Sequence, residues 1–530
     1  MIADPISNDP FSIPNGSPAL VHQGILLPDG EATISDTASE LFKLIAPTQK
    51  LFNHGGRIVA LVGDDHHAIR LDQLTPDASR SYFERFTKFF RRSTVNGKDC
   101  LRSAILSVDI TRAFLASHEA KENLPTIRAL SAVPVPMADG SIHTTGWSKE
   151  TGIFVTAKWA SNLILPTLED AVALILGTQT DFCFVTDADK SRAIAAIIAP
   201  AIRLSGAIDG SSPLHVLEAD QSQAGKGYET KVIGAIYGET LSPVAVSGGR
   251  GVGSLDESFA AALLRGRPLV VLDNLRDKLN SQVLESFITA EGPFGCRVPY
   301  SGIVEVDSKK YVLLATSNGI EGTSDISNRM LIIRLMKQPR GYRYQQYKEG
   351  DLVAHIAASR AQYIGAVLRV VSEWIRNGKQ TTNDARHDLR TWCRSLDWIV
   401  QEYFRLPPLL DGHDAARQRI SDPALSFLRN VCLTLRPADL IAGSVVYNAS
   451  QLADQAIENG VSIPGLSANR LHDDGASAKA VGVTLGRLFR EAETIEVDRW
   501  SVKREIERVK RSDNNGYFDQ KSYRISGVVI

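Results

Sequence analysis

LHVLEADQSQAGKGYETK, residues Leu214–Lys231, decides how this chain is read. LHVLEA is an apolar run that reads as a buried strand, and the residues after Lys226 open a helix. Between them lies a loop of small and polar residues. Small side chains let backbone N–H groups close around a triphosphate, and a helix N-terminus adds a partial positive charge. Lys226 would then reach the outer phosphates. Ala224, Gly225, Lys226, Gly227 and Tyr228 are therefore the candidate nucleotide contacts. The match to G-x-x-x-x-G-K-[ST] is partial. Asp220 stands at the first glycine, and Gly227 stands where a magnesium-binding hydroxyl is expected, with Thr230 or Ser222 as alternatives. Taken alone, the Gly-Lys pair fits an ordinary β–α turn with an exposed lysine equally well.

The downstream sequence adds three further signals. PLVVLDN (Pro268–Asn274) is a buried strand ending in an acid, with Asp273 positioned to hold Mg2+ through water and Asn274 beside it. YVLLATSN (Tyr311–Asn318) is a second such strand, and Asn318 fits a residue that orients an attacking water. SDISNR then brings Arg329 to the start of MLIIRL, where an arginine can reach a neighbouring subunit's site. Between Leu214 and Leu335 short apolar strands (LHVLEA, PVAVS, PLVVLD, YVLLATS, MLIIRL) alternate with helices at the rhythm of a parallel α/β sheet. Singly these residues also fit a strand cap, a turn residue and a surface ion pair; their order favours a nucleotide site.

The set Lys226, Asp273–Asn274, Asn318 and Arg329 resembles an AAA+ P-loop core of the superfamily-three kind. It looks closest to the helicase-like ATPases of phages, plasmids and genomic islands, related to poxvirus-type primase-helicases. Leu124–Val155, the tract LEDAVALILGTQTDFCFV, the P-x-x-Y-x-Y pattern from Pro339, Glu373–Lys379 and TWCRSLDWIV are similar to the same family, so the resemblance covers most of residues 35–435. It implies ATP and Mg2+ as cofactors, a ring (a hexamer) with sites at subunit interfaces, single-stranded or forked DNA as the partner, replication proteins beside it, and a cytoplasmic setting. Asn274 departs from the catalytic acid many such enzymes carry; Asn holds a water but cannot take its proton. Glu257 and Glu285 are the alternative acids, and Arg297 is a further phosphate candidate.

Around the core the chain divides into a Pro/Asn/Asp/Gly/Ser-rich tail (1–30), a mixed α+β unit for DNA docking or a collar (31–200), the ATPase core (201–345), a helical lid (346–440) and a winged-helix-like unit (441–530). Ser79–Arg92 reads as a helix with an aromatic stripe. GIVEV and YVLLA flank a DSKK turn, which reads as a hairpin with Lys309 and Lys310 at its tip; superfamily-three helicases project such a hairpin into the ring channel to grip a nucleic-acid backbone. At the C-terminus, Lys503, Arg504, Arg508, Lys510 and Arg511 form a basic stretch before a DNNG turn, either a DNA-facing wing or a solvated charged helix with Glu505 and Glu507.

Composition narrows the alternatives. Of 530 residues 43% are hydrophobic and 22% charged, a globular balance. Lys plus Arg number 59 against 60 Asp plus Glu, so any polyanion contact must be a local patch. The longest apolar stretch, Ala193–Ile202, is too short to span a membrane. Five widely spaced cysteines suit a reducing compartment. Three rivals remain: an ATP-binding switch or initiator scaffold without turnover, a DNA-binding regulator, and a protein-remodelling ATPase.

Overall fold

The computed structural model describes residues 24–64, 67–95, 98–157, 159, 162–219, 223–239, 241, 244, 255–275, 278–279, 281–290, 292–298, 302–435, 443–466, 474–490, 492–498, 500–510 and 517–527. They form a mixed α/β structure with 17 α-helices and several sheets. No helix among them is long and apolar enough to cross a membrane.

At the centre is a five-stranded sheet. Along it run Cys183–Phe184, Met330–Met336, Leu214–Ala219, Val312–Ser317 and Leu269–Leu275. The short edge strand is antiparallel and the other neighbours are parallel. Val244, the described residue of PVAVS, adds a parallel bridge to Leu272 on the far edge. Period-two alternation sends side chains to opposite faces. Leu217, Ala219, Val271, Leu314 and Ile333 pack with helices Asp187–Ser205, Lys226–Tyr237 and Arg360–Arg376. Val216, Val270, Leu313, Ala315 and Ile332 pack with Phe259, Leu263, Phe287 and Ile420 on the other side. Burial on both faces explains why these strands are apolar without a break. The apolar stretch 193–202 is the middle of the buried helix Asp187–Ser205, which carries Pro200 inside it.

The N-terminal region holds three three-stranded sheets and a two-stranded one among its described residues. Its structure changes two expectations. Ile25–Leu26 pairs with Phe89–Phe90, and Ile25 and Leu27 are buried, so chain assigned to the tail is part of a sheet. The helix expected over Ser79–Arg92 ends at Phe83, and Phe89–Val95 is a strand paired with Lys98–Ala104. Phe89 reaches the same core as Phe83 by strand alternation, which the aromatic spacing alone imitated as a helical stripe.

The DSKK hairpin also differs. Gly302–Asp307 pairs with Pro293–Val298, whereas Val312–Ser317 lies inside the central sheet. Ser308–Lys310 is a 3-10 turn at the base of that hairpin, and Lys310 is buried. The run YVLLA is apolar on both faces, as a central strand requires, and so cannot be one arm of an exposed ribbon.

At the C-terminus an antiparallel sheet runs Ser444–Asn448, Tyr517–Gly527, Trp500–Lys510 and Thr494–Val497. The basic stretch is therefore a strand and not a helix. Helix Pro423–Thr434 contributes Phe427, Leu428 and Val431 to the same apolar cluster as Leu452, Val481, Phe489 and Tyr523, so it packs with this unit as well as against helix His413–Ser421 before it.

Gly55, in the turn between strands Leu51–His54 and Arg57–Asp64, has φ +59°, and a Cβ there would overlap the Glu305 carbonyl oxygen. Gly56 has φ +83° but open space around it. Gly56→Ala should thus cost only the left-handed strain of roughly 1–2 kcal/mol. Gly55→Ala should cost more than that, because backbone must move as well. Urea unfolding of the two variants measures the difference, and equal losses would show that the Gly55–Glu305 contact is unimportant.

Candidate functional site

Three of the residues singled out above meet at the carboxyl end of the central sheet. Lys226 follows strand Leu214–Ala219, Asp273 lies near the end of Leu269–Leu275, and Asn318 follows Val312–Ser317, the strand between them. In open α/β sheets ligands bind outside this edge. The Lys226 ammonium donates to the Asn318 side-chain oxygen. Thr316, buried on the middle strand, joins the other pair: its hydroxyl donates to Asp273 Oδ1 at 2.6 Å and accepts from the Asn274 backbone N–H at 2.7 Å.

The backbone around these groups is unusual in two places. Strand Leu269–Leu275 has an irregularity between Leu272 and Leu275, and within it Asn274 takes φ +54°. Asparagine tolerates this region better than other side chains bearing a Cβ. The bulge turns both Asp273 and Asn274 out to solvent. At the loop, Gln223 has φ +67° and Gly225 φ +96°. Helix Lys226–Tyr237 starts directly after Gly225 with no side chain capping its N-terminus. A helix N-terminus of this kind favours a bound anion. A Cβ at Gly227 would meet nothing within 4 Å, so this position adds space to the cradle. The Thr230 hydroxyl donates to the Gly227 carbonyl at 2.9 Å and is turned back into its own helix; Ser222 lies outside the described residues. The residues present suit a triphosphate, and Asp273 suits a magnesium ion held through water.

Next to the loop is a cavity of about 380 Å³. Gln223–Gly225 and Tyr228 form one wall, and Phe182, Tyr344 and Tyr347 bring aromatic rings to it from distant parts of the chain. The Phe182 and Tyr228 rings lie 6.3 Å apart. Asp181 anchors the opposite rim, accepting from the Tyr342 hydroxyl at 2.9 Å and the Gln345 N–H at 3.0 Å. An apolar, aromatic slot with a few polar groups at its rim fits a planar base. Below it Glu229, fully buried in the first turn of the helix, accepts from Gln179 at 3.0 and 3.3 Å. Burial pushes its carboxyl up to about 8, more than the Gln179 bonds pull it down, so it keeps its proton at neutral pH.

The other predicted residues lie apart. The Arg329 carbonyl accepts from the Leu214 N–H, which sets Arg329 at the amino end of the sheet. A six-residue strand spans roughly 20 Å, so Arg329 is remote from Lys226 of its own chain. It pairs there with Asp325 at 2.7 Å. Glu285 accepts from Thr323, and Glu257 lies in the first turn of helix Leu255–Leu264; neither joins the site. Arg297 is exposed on the Pro293–Val298 hairpin.

Lys309 pairs with Asp209 at 3.4 Å and Lys310 is buried, and both sit at the base of the hairpin, so neither forms its projecting tip. On the C-terminal ribbon Lys503 and Arg508 are exposed, while Arg504 stacks over the Phe489 ring at 5.8 Å. Lys510 ends its strand, and Arg511 lies outside the described residues.

No family model matches this sequence. No curated protein matches it either. The chain is similar to solved structures, two of which follow. The apo A form of the NrS-1 C-terminal region is 10% identical with a TM-score of 0.35, covering 92% of this chain and 99% of that one. The SCCmec type IV Cch active helicase is also 10% identical, with a TM-score of 0.31, covering 79% of this chain and 87% of that one. Likeness at this level carries no argument about the site.

The buried Glu229 gives a test of the geometry. Its folded value lies above its unfolded one, so the native state binds the extra proton between them and loses stability as pH rises from about 4.5 to 8, by about 1.4 kcal/mol per unit. Glu229→Gln cannot ionise and keeps the Gln179 contact. Its stability relative to the native protein should become more favourable by on the order of 2 kcal/mol between pH 6 and pH 8. A difference that does not change with pH in urea unfolding would show that Glu229 is not buried as a neutral acid.

Proposed function

We propose that the chain is a P-loop ATPase of the AAA+ superfamily-three kind that hydrolyses ATP with Mg2+ at the subunit interfaces of a ring and drives unwinding or origin remodelling of a mobile element's DNA. What carries the reading is the convergence of Lys226, Asp273, Thr316 and Asn318, far apart in sequence, on one end of three adjacent strands beside an uncapped helix N-terminus. The loop amides and Lys226 hold the phosphates. Magnesium, when bound, neutralises charge on the transferring phosphoryl group. Asp273 would hold it through water, with one carboxylate oxygen fixed by Thr316. Asn318 and Asn274 orient the attacking water, and positioning with charge stabilisation supplies most of the catalysis. The aromatic cavity takes the base.

Arg329, remote from Lys226 of its own chain, is placed to complete a neighbour's site in such a ring. In this reading residues 31–200 dock DNA or form a collar, 201–345 are the ATPase core, 346–440 the lid and 441–530 a winged-helix-like unit, with helix Pro423–Thr434 joining the last. The DNA contact moves from Lys309 and Lys310 to the ribbon carrying Lys503, Arg508 and Lys510, where phosphate binding is blind to sequence.

A second reading, an ATP-binding switch without turnover, is favoured by Gly227, by the Thr230 hydroxyl turned into its helix and by Asn274 in place of an acid. Steady-state hydrolysis with and without single-stranded DNA separates the two. The motor reading expects DNA-stimulated turnover that falls on the order of 100-fold or more in Lys226→Ala. Mixing Lys226→Ala with Arg329→Ala, each inactive alone, should restore part of the activity, because mixed rings contain some intact interfaces. Binding without turnover favours the switch, and an inactive mixture argues against Arg329 acting across the interface.

A further inference from the structure

Arginine side chains gather under the Asn318 turn. Glu218, the penultimate residue of the strand before the loop, is buried and pairs with the equally buried Arg419. Arg429 lies beside them, its Nη2 3.9 Å from Glu218. It donates from Nε to Asp498 Oδ2 at 2.5 Å and from Nη1 to the Asn318 carbonyl at 3.3 Å. Asp498 is also 3.7 Å from Arg334 on the last core strand. Glu218 in turn accepts from the Ile320 N–H at 3.3 Å. The turn is closed around this group: a Cβ on Gly319, at φ +151°, would stand 2.9 Å from Arg429 Nη1 and 3.1 Å from Asn430 Oδ1.

The two ends of this contact belong to different units. Arg429 projects from helix Pro423–Thr434, and Asp498 occupies the turn between Thr494–Val497 and Trp500; both helix and sheet share the C-terminal apolar cluster. Asn318, Glu218 and Ile320 belong to the central sheet and its loops. Withdrawing the C-terminal unit would take Asp498 and Arg429 together, leaving Arg419 and Glu218 behind. Alternatively it would leave Arg429 buried without its carboxylate. Either would break a buried ionic network, which costs more than parting exposed charges.

We propose that Arg429, aimed by Asp498, is a positioning residue through which the C-terminal unit sets the Asn318 turn, so that displacement of that unit is felt at the Lys226–Asn318 end of the nucleotide site. Its consequence for turnover rests on the ATPase reading above; the structural link does not. Lysine at 429 keeps the charge but cannot span Asp498 and Asn318 with one ammonium.

The full-length chain is compared with Arg429→Lys, Asp498→Asn and Gly319→Ala by amide hydrogen exchange. Residues 317–320 should exchange roughly tenfold faster in all three, with strand Leu269–Leu275 unchanged. In the ATPase assay the same variants should lose kcat roughly tenfold while the dissociation constant for a fluorescent ATP analogue stays within about twofold, a split that general loss of stability would not give. Unchanged exchange at 317–320 overturns the proposal even if the chain hydrolyses ATP. Faster exchange spread evenly through the central sheet also overturns it, since Arg429 would then only stabilise the fold. A native protein that shows the local exchange effect without turnover supports the link and counts against the ATPase reading alone.

Discussion

A parallel sheet buried on both faces leaves only its ends for polar chemistry, and that constraint organises this molecule. Leu214–Ala219, Val312–Ser317 and Leu269–Leu275 are buried over almost their whole lengths. Polar side chains that must meet water therefore collect where the strands stop. Because the three strands are adjacent and parallel, their carboxyl ends stop together. Lys226, Asp273 and Asn318 are brought within reach of one another by strand order more than by any local feature of their loops. The same constraint sends Arg329 to the other end, since it precedes its strand where the others follow theirs.

Strand ends also create a difficulty, because the last backbone groups lose their ladder partners while buried side chains press on them. Thr316 resolves it on one side: its hydroxyl takes up the Asn274 N–H released by the bulge and fixes the Asp273 carboxylate at the same time. The identity of residue 274 then has a backbone reason. A residue at φ +54° pays least when it is Gly, Asn or Asp, so asparagine here serves the bulge whatever it does for a water. Reading it only as a catalytic acid lost overlooks that requirement.

Much of the core was legible because each signal was local and repeated: apolar strands of the right length, a glycine-led helix start, an acid or amide at a strand end. The aromatic cavity was not. Phe182, Tyr228 and Tyr347 lie in segments with no shared pattern, and only the fold joins them. Thr316 could have been found, since it stands two residues before Asn318, a polar side chain after the apolar run Val312–Ala315. The helix–strand difference in one segment and the pairing difference in another have one cause. In Ser79–Arg92 and around DSKK, alternating and continuous apolar patterns were judged within a window, while the pairing partner that decided them lay outside it: Lys98–Ala104 in the first case, Pro293–Val298 in the second. Lys310 shows the consequence, a lysine that looked like a hairpin tip and lies buried beneath one.

The balance of charge also means something different once the structure is known. Several arginines are not surface cations at all. Arg192 donates to the Ile332 and Leu409 carbonyls, Arg203 to those of Tyr311 and Ser308, and Arg429 to that of Asn318. A planar guanidinium with five donors can tie several carbonyls at once, where lysine offers a single point of charge. These side chains fasten loops at the ends of the sheet to the layers above and below it. A chain that spends arginines inward has fewer for a polyanion than its count of 59 basic residues implies. Any nucleic-acid surface must then be sought where basic side chains remain exposed, as those of Lys503 and Arg508 do on a ribbon whose neighbouring arginine is already stacked on Phe489.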